Sequence, residues 1–468
     1  MKRMVILILL MIVPTVSGDG KTNPKYQWNG SLITAAKRGD LKGVKELLGK
    51  GASPDARDKW ATALYYAVDR KHYEVVKYLL SKGANSVLAN ANGDLPLARA
   101  VDMGDRKMVE TMLDAGARIN AAASATALQR AAFNGHVDLV KLLLSRGASV
   151  HKRSKFRGTA VMTAVYNAKV AEAVQIEILS LLIARGARVN DACSEGDTPI
   201  MNAAQDGRLE VVRYLVSRGA DIHRRDIRGM TALARAASLG RGEVVKYLVS
   251  KGAKVNLPKS SPVAMAAGNG HIEVVRFLIE KGADTEKKGR LAVPALMTAC
   301  RGGYIEIVKL LVEKGSDVNI KSEYGSPLAF AVLSRKTRGA VKIEMIKYLL
   351  SKGAEINPGK RAHITPLNAA VCMHDLELVR YLAEKGADVN LPDRYGHTPL
   401  IKTADRGCHH NKSWENFDRE YARIAEFLLD RGAELHRRNR DGKTALMLAK
   451  LYGYKEVQTV LEKAVGEN

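Results

Sequence analysis

Residues 197–220 read DTPIMNAAQDGRLEVVRYLVSRGA, and variants of this segment recur along most of the 468-residue chain. One copy begins at His397, and another, SPVAMAAGNGHIEVVRFLIEKGA, begins at Ser261. A Gly-Ala pair closes each copy, with Gly-Ser once, at Gly51, Gly83, Gly116, Gly147, Gly186, Gly219, Gly252, Gly282, Gly315, Gly353, Gly386 and Gly432. A period of about 33 residues is typical of stacked repeats, in which each unit contacts only its neighbours.

Each copy predicts two helices joined by a turn. A Thr-Pro or Ser-Pro pair opens the first helix, because proline suits the first helical position and the preceding hydroxyl can cap it. The second helix carries apolar residues at helical spacing, such as Val211, Val212 and Leu215. It ends at a glycine, the residue that most readily adopts a left-handed C-cap. Since no unit can bury its own apolar faces, the units must stack.

The joint recurrence of Thr-Pro-Leu, Ala-Ala, Val-Val, Leu-Leu and Gly-Ala resembles the ankyrin repeat family over about residues 29–462. The resemblance implies an all-α repeat solenoid of about 13 helix-turn-helix units, joined by short β-hairpin fingers. It also implies protein binding through the finger tips and inner helices. The family usually has histidine after Thr-Pro-Leu; here Gln129, Asn368 and several apolar residues replace it, which predicts a weaker local hydrogen bond. We expect one solenoid over residues 29–464.

Three units are longer than the others, which predicts longer loops between the helices near residues 167–174, 335–340 and 408–421. Insertions in repeat proteins lie on one face, often the binding face. The alternative is a tolerated surface insertion, because lengthening a loop costs little. We favour this alternative for the first two segments.

Residues 1–18 have the three parts of a secretory signal peptide: a basic start, an apolar run from Met4 to Val13, and small residues before Gly18. The run is too short for a permanent membrane helix, which needs about 20 residues. Residues 19–28 are expected to form a polar linker. The mature protein is therefore expected to be exported, periplasmic or secreted, with no transmembrane segment after signal removal.

The formal net charge of +25 has a structural part and an excess. Most second helices end in Lys or Arg, where a cation complements the helix dipole. Basic clusters on several finger tips have no such role, and their predicted binding residues are Lys152, Arg153, Arg224, Arg225, Lys287, Lys288, Lys360, Arg361, Arg437 and Arg438. In stacked repeats these clusters would form an interrupted basic ridge for an acidic partner. General solubility charge is the alternative interpretation.

Three kinds of partner fit such a ridge: an acidic protein, an anionic glycan, or lipid headgroups. Nucleic acid is not expected, because an exported protein rarely meets it. We expect no cofactor.

The four cysteines are too few for a disulfide framework. Cys372 and His374 lie at the end of one helix, and Cys408, His409 and His410 open the longest insertion. These side chains could form a zinc site, or Cys372 and Cys408 could form a disulfide. Because neither spacing is a recognised metal signature, unpaired structural cysteines and no metal are the favoured prediction.

Aromatic residues are scarce, and three of them are candidate anchors for a partner. Trp60 occupies a finger position that usually holds glycine. Trp414 and Phe417 lie in the longest insertion, and with Tyr421 they have a helical spacing that predicts an extended second helix. They either pack locally or act as binding anchors, since Trp and Tyr dominate binding hot spots.

No nucleophile elbow, phosphate-binding glycine loop or His-Glu-x-x-His motif occurs, so we expect no enzymatic activity. The predicted function is an exported, non-enzymatic ankyrin-repeat protein that mediates protein–protein interaction through its concave finger and inner-helix surface. The first alternative is an envelope or extracellular protein that binds anionic glycans or lipids. The second alternative is a secreted effector that binds a host protein.

Overall fold

The computed structural model describes residues 24–154, 158–257, 260–286, 293–336, 339–359, 362–406 and 417–466. Within these residues, 26 helices form 13 consecutive pairs, which confirms the predicted number of helix-turn-helix units. The chain divides into two compact units, residues 1–199 with 213–220 and residues 200–212 with 221–468.

The first unit contains five complete helix pairs, and a sixth pair straddles the boundary between the units. The five pairs are α1 Pro24–Arg38 and α2 Leu41–Gly49, α3 Ala63–Asp69 and α4 Tyr73–Ser81, α5 Pro96–Asp102 and α6 Arg106–Asp114, α7 Ala127–Asn134 and α8 Val137–Ser145, and α9 Ala160–Tyr166 and α10 Glu172–Ala184. The straddling pair is α11 Pro199–Asp206 and α12 Leu209–Ser217.

The second unit contains the remaining seven pairs. They are α13 Ala232–Ser238 and α14 Gly242–Ser250, α15 Pro262–Asn269 and α16 Ile272–Glu280, α17 Ala295–Gly302 and α18 Ile305–Glu313, α19 Pro327–Val332 and α20 Ala340–Ser351, α21 Pro366–Cys372 and α22 Leu376–Glu384, α23 Pro399–Lys402 and α24 Asp418–Asp430, and α25 Ala445–Tyr452 and α26 Lys455–Gly466.

The predicted signals begin and end these helices. The Thr365 hydroxyl caps α21 by accepting a hydrogen bond from the Asn368 backbone N–H at 3.1 Å, and Pro366 follows at the first helical position. At the other end of a pair, Gly219 has φ +83°, a left-handed conformation that favours glycine. The turn lets the Ala220 N–H donate to the Leu215 carbonyl at 3.0 Å. Local hydrogen bonds thus define both ends of a helix pair.

Within each unit, first helices pack against first helices of adjacent pairs, as α3 does on α5 and α15 on α17. The Ala-Ala positions allow this close approach, since Ala266 and Ala267 are fully buried. Apolar positions of the second helices, such as Val244, Val245 and Leu248, are also fully buried. Burial of each such Val or Leu stabilises the fold by about 1.5–3 kcal/mol.

Asparagines link successive fingers. Asn357 Nδ2 donates to the Gly386 carbonyl at 2.9 Å, and its Oδ1 accepts from the Asp388 N–H at 3.0 Å. The same two bonds recur at Asn120, Asn256, Asn319 and Asn390. His151 and His223 occupy this position in two basic fingers, and in the described part of the chain neither side chain makes these bonds.

The fingers are turns closed at their base, and in four of them a single antiparallel bridge is present. The bridges pair Arg57 with Thr62, Ser154 with Gly158, Leu257 with Ser260, and Ser322 with Gly325. Longer strands do not occur in the described ranges, so the expected β-hairpins are reduced to these bridges. In several fingers a carboxylate or amide completes the turn, as Asn90 Oδ1 does by accepting the N–H groups of Asn92 and Asp94.

Two amides take over the position where the family usually has histidine. Gln129 Nε2 donates to the carbonyls of Lys152 and Gly158, at 2.9 and 2.8 Å. Asn368 Nδ2 donates to the His397 carbonyl at 2.8 Å. The expected weakening of this hydrogen bond is therefore wrong for these two units.

The three insertions lengthen second helices rather than forming only loops. Helices α10, α20 and α24 contain 13, 12 and 13 residues, whereas α12, α14 and α16 each contain nine. The loops predicted near 167–174 and 335–340 end where α10 and α20 begin, at Glu172 and Ala340, and the start of α24 at Asp418 agrees with the predicted extension of the second helix through Tyr421. In the added turn of α10, Gln175 is fully buried and its Nε2 donates to the Asn167 carbonyl at 3.1 Å.

Helix α1 begins at Pro24, so the end of the predicted polar linker 19–28 is helical. The predicted signal peptide, residues 1–18, lies outside the described residues. At the other end, α26 confirms the last predicted helix and buries Val457 and Leu461. Among the described helices, none combines the length and apolar character needed to cross a membrane.

Candidate functional site

The finger between α12 and α13 carries two adjacent, exposed arginines. Arg224 and Arg225 are exposed, and neither side chain forms an ion pair or hydrogen bond with any residue that the structure describes. Ile227 beside them is 68% exposed, the highest value among the large apolar residues that are exposed. This finger therefore offers positive charge next to an apolar contact.

A buried ion pair supports this finger from below. Asp226 Oδ1 accepts the N–H groups of Arg228 and Met230 at 2.8 Å each, while Oδ2 lies 2.7 Å from Arg235 Nη2. Burial alone would raise the pKa of Asp226, but the Met230 N–H and the Arg235 guanidinium outweigh it and lower the pKa. The Asp226 side chain is 0% exposed, so the finger rests on a fixed carboxylate.

The last basic finger is more constrained. Arg437 Nη1 lies 2.7 Å from Glu434 Oε2, and Arg438 Nη1 donates to the Gly442 carbonyl at 2.7 Å. Arg438 also lies 3.8 Å from the Met447 sulfur. Both guanidinium groups therefore have partners within their own finger.

In the first unit, Lys152 and Arg153 are exposed as predicted. Arg153 donates a hydrogen bond to the Ala192 carbonyl of the next finger, and Lys152 has no carboxylate partner among the described residues. The other predicted basic residues, Lys287, Lys288, Lys360 and Arg361, lie outside the described ranges. A continuous basic ridge stays a prediction.

Several cations on the first helices are neutralised within the chain, which the sequence reading missed. Arg99 Nε lies 2.7 Å from Asp69 Oδ1, and Lys402 Nζ lies 2.7 Å from Asp405 Oδ2. Arg130 forms ion pairs with both Asp94 and Asp102. The three cations share one position, four residues after the N-cap of their helix, but the partners of Arg99 and Arg130 lie about 30 residues away in the chain and are not visible in the repeat pattern.

Trp60 is 41% exposed at a finger tip of the first unit, and its carbonyl accepts the Ala91 N–H at 2.7 Å. Asp58 orders this tip. Burial would raise the pKa of Asp58, but hydrogen bonds from the Ala61 and Trp60 N–H groups, Tyr66 and Lys37 lower it to about 2. Trp60 is thus exposed on a fixed turn, where a binding anchor was predicted.

Phe417 contacts residues of its own chain. Its ring stacks on His374 with centroids 4.2 Å apart, and His374 meets Tyr421 edge-on at 4.8 Å. Tyr421 is fully buried on α24, as the predicted helical spacing requires. Phe417 is half-buried, so its stacked face is not open to a partner. Trp414 lies outside the described residues.

Of the three cysteines that the structure describes, one is disulfide-bonded and two are free and buried. Cys372 is disulfide-bonded, so the prediction that it is unpaired is wrong and its thiolate is not a metal ligand. Cys193 and Cys300 are free and buried, and burial raises the pKa of the Cys300 thiol. Cys408, His409 and His410 lie outside the described residues, and within the described ranges no three His, Cys, Asp or Glu side chains form a metal-binding group.

Stacked helix pairs with exposed, variable finger residues define the class of the protein: a repeat scaffold for macromolecular binding. The model of ankyrin repeats in three copies matches residues 32–123, 168–259, 257–322 and 328–411, and the single ankyrin repeat model matches residues 125–155. The chain belongs to the ankyrin repeat family, and such repeats serve as protein-interaction scaffolds.

Relatives share this repeat over part of their length. A fowlpox virus ankyrin repeat protein is 32% identical over 145 residues, 29% of this chain and 32% of that protein. Human ankyrin repeat and SOCS box protein 16 is 30% identical over 211 residues, 42% of this chain and 47% of that protein. The match spans less than half of each relative. The crystal structure of the Bcl-3 ankyrin repeat domain aligns with TM-score 0.41 and 26% identity, covering 47% of this chain and 97% of that domain.

Proposed function

We propose that this protein is an exported, non-enzymatic scaffold that binds an acidic protein through its basic finger tips. The partition of positive charge carries the proposal. On the first helices, Arg99 and Arg130 are paired with carboxylates of their own chain. Arg224 and Arg225 are exposed without such partners among the described residues. Positive charge at Arg99 and Arg130 is thus neutralised within the chain, whereas the charge of Arg224 and Arg225 is available to a partner.

Rigid support strengthens the case for the finger at Arg224 and Arg225. Because Asp226 fixes the turn from beneath, the two arginines lose little backbone freedom when a partner binds. Ile227 adds an apolar contact to the charged ones. Electrostatic attraction to a chain of net charge +25 would also accelerate encounter with an acidic partner.

Two observations support export. Residues 1–18 have the signal-peptide pattern, and Cys372 is disulfide-bonded, a state that persists in oxidising compartments. The free thiols of Cys193 and Cys300 are buried and hence shielded from exchange. N-terminal sequencing of the protein from periplasm or culture fluid should start after residue 18. A protein retained in the cytoplasm with Met1 in place would contradict export.

The binding proposal is tested by affinity capture from the compartment that contains the mature protein. The wild type is compared with Arg224→Glu/Arg225→Glu, and both baits are checked for equal melting temperature. The wild type should retain a protein that the variant loses. Equal retention by both baits would refute the role of this finger.

The same baits distinguish the alternative partners. Heparin and vesicles of phosphatidylglycerol are offered to each bait over a salt gradient. Charge-driven surface binding is lost at high salt, because exposed charges are screened, whereas a protein complex with an apolar centre largely survives. Retention on heparin or vesicles with no captured protein would replace the protein partner by an anionic glycan or lipid.

A further inference from the structure

Three neighbouring fingers of the second unit bring Tyr324, His363, Arg394 and Tyr395 together; these four residues are called the aromatic patch. The Tyr324 and His363 ring centroids lie 6.2 Å apart, and those of His363 and Tyr395 lie 5.5 Å apart. Tyr324 is 47% exposed and Tyr395 is 40% exposed. Aromatic residues make up only 5% of this chain, so two exposed tyrosines flanking a histidine form an unusual surface.

The backbone beneath the aromatic patch is fixed. The Arg394 N–H donates to the Ala362 carbonyl of the preceding finger at 2.8 Å. The Tyr395 N–H donates to Asp393 Oδ1 at 2.8 Å, and the Tyr324 N–H donates to Ser322 Oγ at 3.1 Å. These bonds use only the backbone of the two tyrosines, and both rings stay partly exposed at the surface. A preorganised surface of this kind loses little entropy on binding.

Arg394 adds an available charge to the rings. Its Nη2 donates to the Tyr395 hydroxyl at 3.1 Å, and its guanidinium carbon lies 5.1 Å from the centre of the Tyr395 ring. It has no carboxylate within ion-pair distance in the part of the chain that the structure describes. Burial, and then the positive Arg394, lowers the pKa of His363 below its ordinary 6.5. At neutral pH His363 therefore contributes a neutral ring, and Arg394 alone supplies charge in the aromatic patch.

We infer that the aromatic patch docks an extended, acidic peptide segment of a partner protein. Alternate side chains of an extended chain are about 6.6 Å apart, which matches the spacing of the three rings. Apolar side chains at alternate positions would pack on the rings, and a carboxylate beside them would pair with Arg394. Tyr and Arg are enriched in binding hot spots, and the net charge of +25 favours an acidic segment.

This site shares no residue with the finger at Arg224 and Arg225, so it goes beyond the proposed function. A partner could use either surface alone. The two proposals therefore fail separately.

The experiment selects peptides from a phage-displayed random library on the full-length protein. Selected sequences should share apolar residues at alternate positions next to Asp or Glu. Synthetic peptides of these sequences should bind Tyr324→Ala/Tyr395→Ala at least about tenfold more weakly, the loss expected of a hot spot. Tyr324→Phe/Tyr395→Phe keeps the rings and should retain binding. Circular dichroism and melting temperature establish that each variant is folded.

A double-mutant cycle tests the carboxylate contact. Replacing the peptide's Asp or Glu by Asn or Gln should weaken binding to the wild type but cause little further loss with Arg394→Ala. Arg276→Ala removes the same charge as Arg394→Ala from the exposed face of α16 and should leave peptide affinity nearly unchanged. Selected peptides without the acidic and apolar pattern, equal binding to the tyrosine-to-alanine variant, or a loss in Arg276→Ala equal to that in Arg394→Ala would each overturn the inference.

Discussion

Two fingers of the second unit share the sequence His-Arg-Arg, at residues 223–225 and 436–438, yet their arginines differ in availability. Arg224 and Arg225 are bare, whereas Arg437 pairs with Glu434 and Arg438 donates to the Gly442 carbonyl. The difference comes from neighbouring residues of the finger rather than from the basic motif. A count of basic residues therefore overstates the charge that a partner can reach.

The foundations of the two fingers also differ. The first rests on Asp226, which is paired with buried Arg235. In the last finger, Asn439 accepts the backbone N–H groups of Asp441 and Lys443, and buried Leu448 occupies the position equivalent to Arg235. The turn at residues 226–230 is therefore supported by a buried ion pair, whereas the turn at residues 439–443 is supported by an amide next to an apolar side chain.

The largest difference in stability between the two fingers is expected when the side chain that accepts the turn's N–H groups is removed, Asp226 in one finger and Asn439 in the other. Asp226→Ala leaves the Arg235 charge buried without its carboxylate, which should lower the free energy of unfolding by about 3–5 kcal/mol. Asn439→Ala removes neutral hydrogen bonds and should cost about 1–2 kcal/mol. Urea unfolding followed by circular dichroism measures both. Equal losses would show that the ion pair has no special role.

Replacing Asp226 and Arg235 by the asparagine and leucine found at the equivalent positions 439 and 448 should change how the free energy of unfolding depends on pH. The folded pKa of Asp226 is lowered, so its stabilising contribution is complete above the unfolded carboxyl pKa of about 3.9. That contribution is lost as the pH falls through the lower folded pKa. Asp226→Asn/Arg235→Leu should stay within about 1.5 kcal/mol of the wild type at pH 7, since buried pairs are often replaceable by apolar residues.

Unfolding curves between pH 5 and pH 2 provide the measurement. The wild type should lose stability more steeply with falling pH than the double variant does. Parallel pH profiles would show that Asp226 is not the responsible carboxylate. Asp226→Asn alone is the matched control, because it keeps the turn acceptor but isolates the Arg235 charge.

A smaller effect is expected for affinity toward a simple polyanion. At low ionic strength, Arg224→Glu/Arg225→Glu should weaken binding of poly-L-glutamate by about tenfold, or 1.4 kcal/mol. Arg437→Glu/Arg438→Glu carries the same change in charge but should have a clearly smaller effect, because those arginines already have partners. Fluorescence anisotropy of a labelled polymer compares the two, and equal losses would mean that only net charge matters.

The smallest expected change in poly-L-glutamate affinity comes from freeing Arg437 of its ion pair with Glu434. Glu434→Ala removes the partner of Arg437 and should strengthen poly-L-glutamate binding about twofold, consistent with the 0.2–1 kcal/mol typical of exposed ion pairs. Glu426→Ala removes the same charge from a site that forms no ion pair with the described residues. Both variants becoming stronger by the same factor would assign the gain to net charge alone.

The fold was predictable because its signals are local and repeated. Thr365 as cap, Pro366 at the first helical position and Gly219 after the last turn each act within a few residues, and the structure confirms them. The insertions were harder to interpret, since the added turn of α10 includes a buried polar residue, Gln175, which bonds to Asn167 in the preceding loop and breaks the apolar repeat pattern. A helix extended by one turn and a loop of equal length look alike in a repeat alignment.

The candidate sites were only partly predictable, because their contacts join different repeats. The pair of Arg99 and Asp69 spans 30 residues, so no pattern within one unit reveals it. The aromatic patch joins three fingers, with a lengthened unit between Tyr324 and His363 that obscures their equivalence. Arg224 and Trp60 are exposed at their fingers, and their roles in binding stay predictions.

The missing asparagine links at His151 and His223 have a mechanical consequence. Where Asn357 or Asn390 is present, two hydrogen bonds couple one finger to the next. His151 and His223 make neither bond with the described residues, but beside His151 the Arg153 guanidinium donates to the Ala192 carbonyl of the next finger. The joint after His223 lacks both asparagine bonds, so we expect that a partner bound at Arg224 and Arg225 would meet less resistance to local bending there than at a joint held by asparagine.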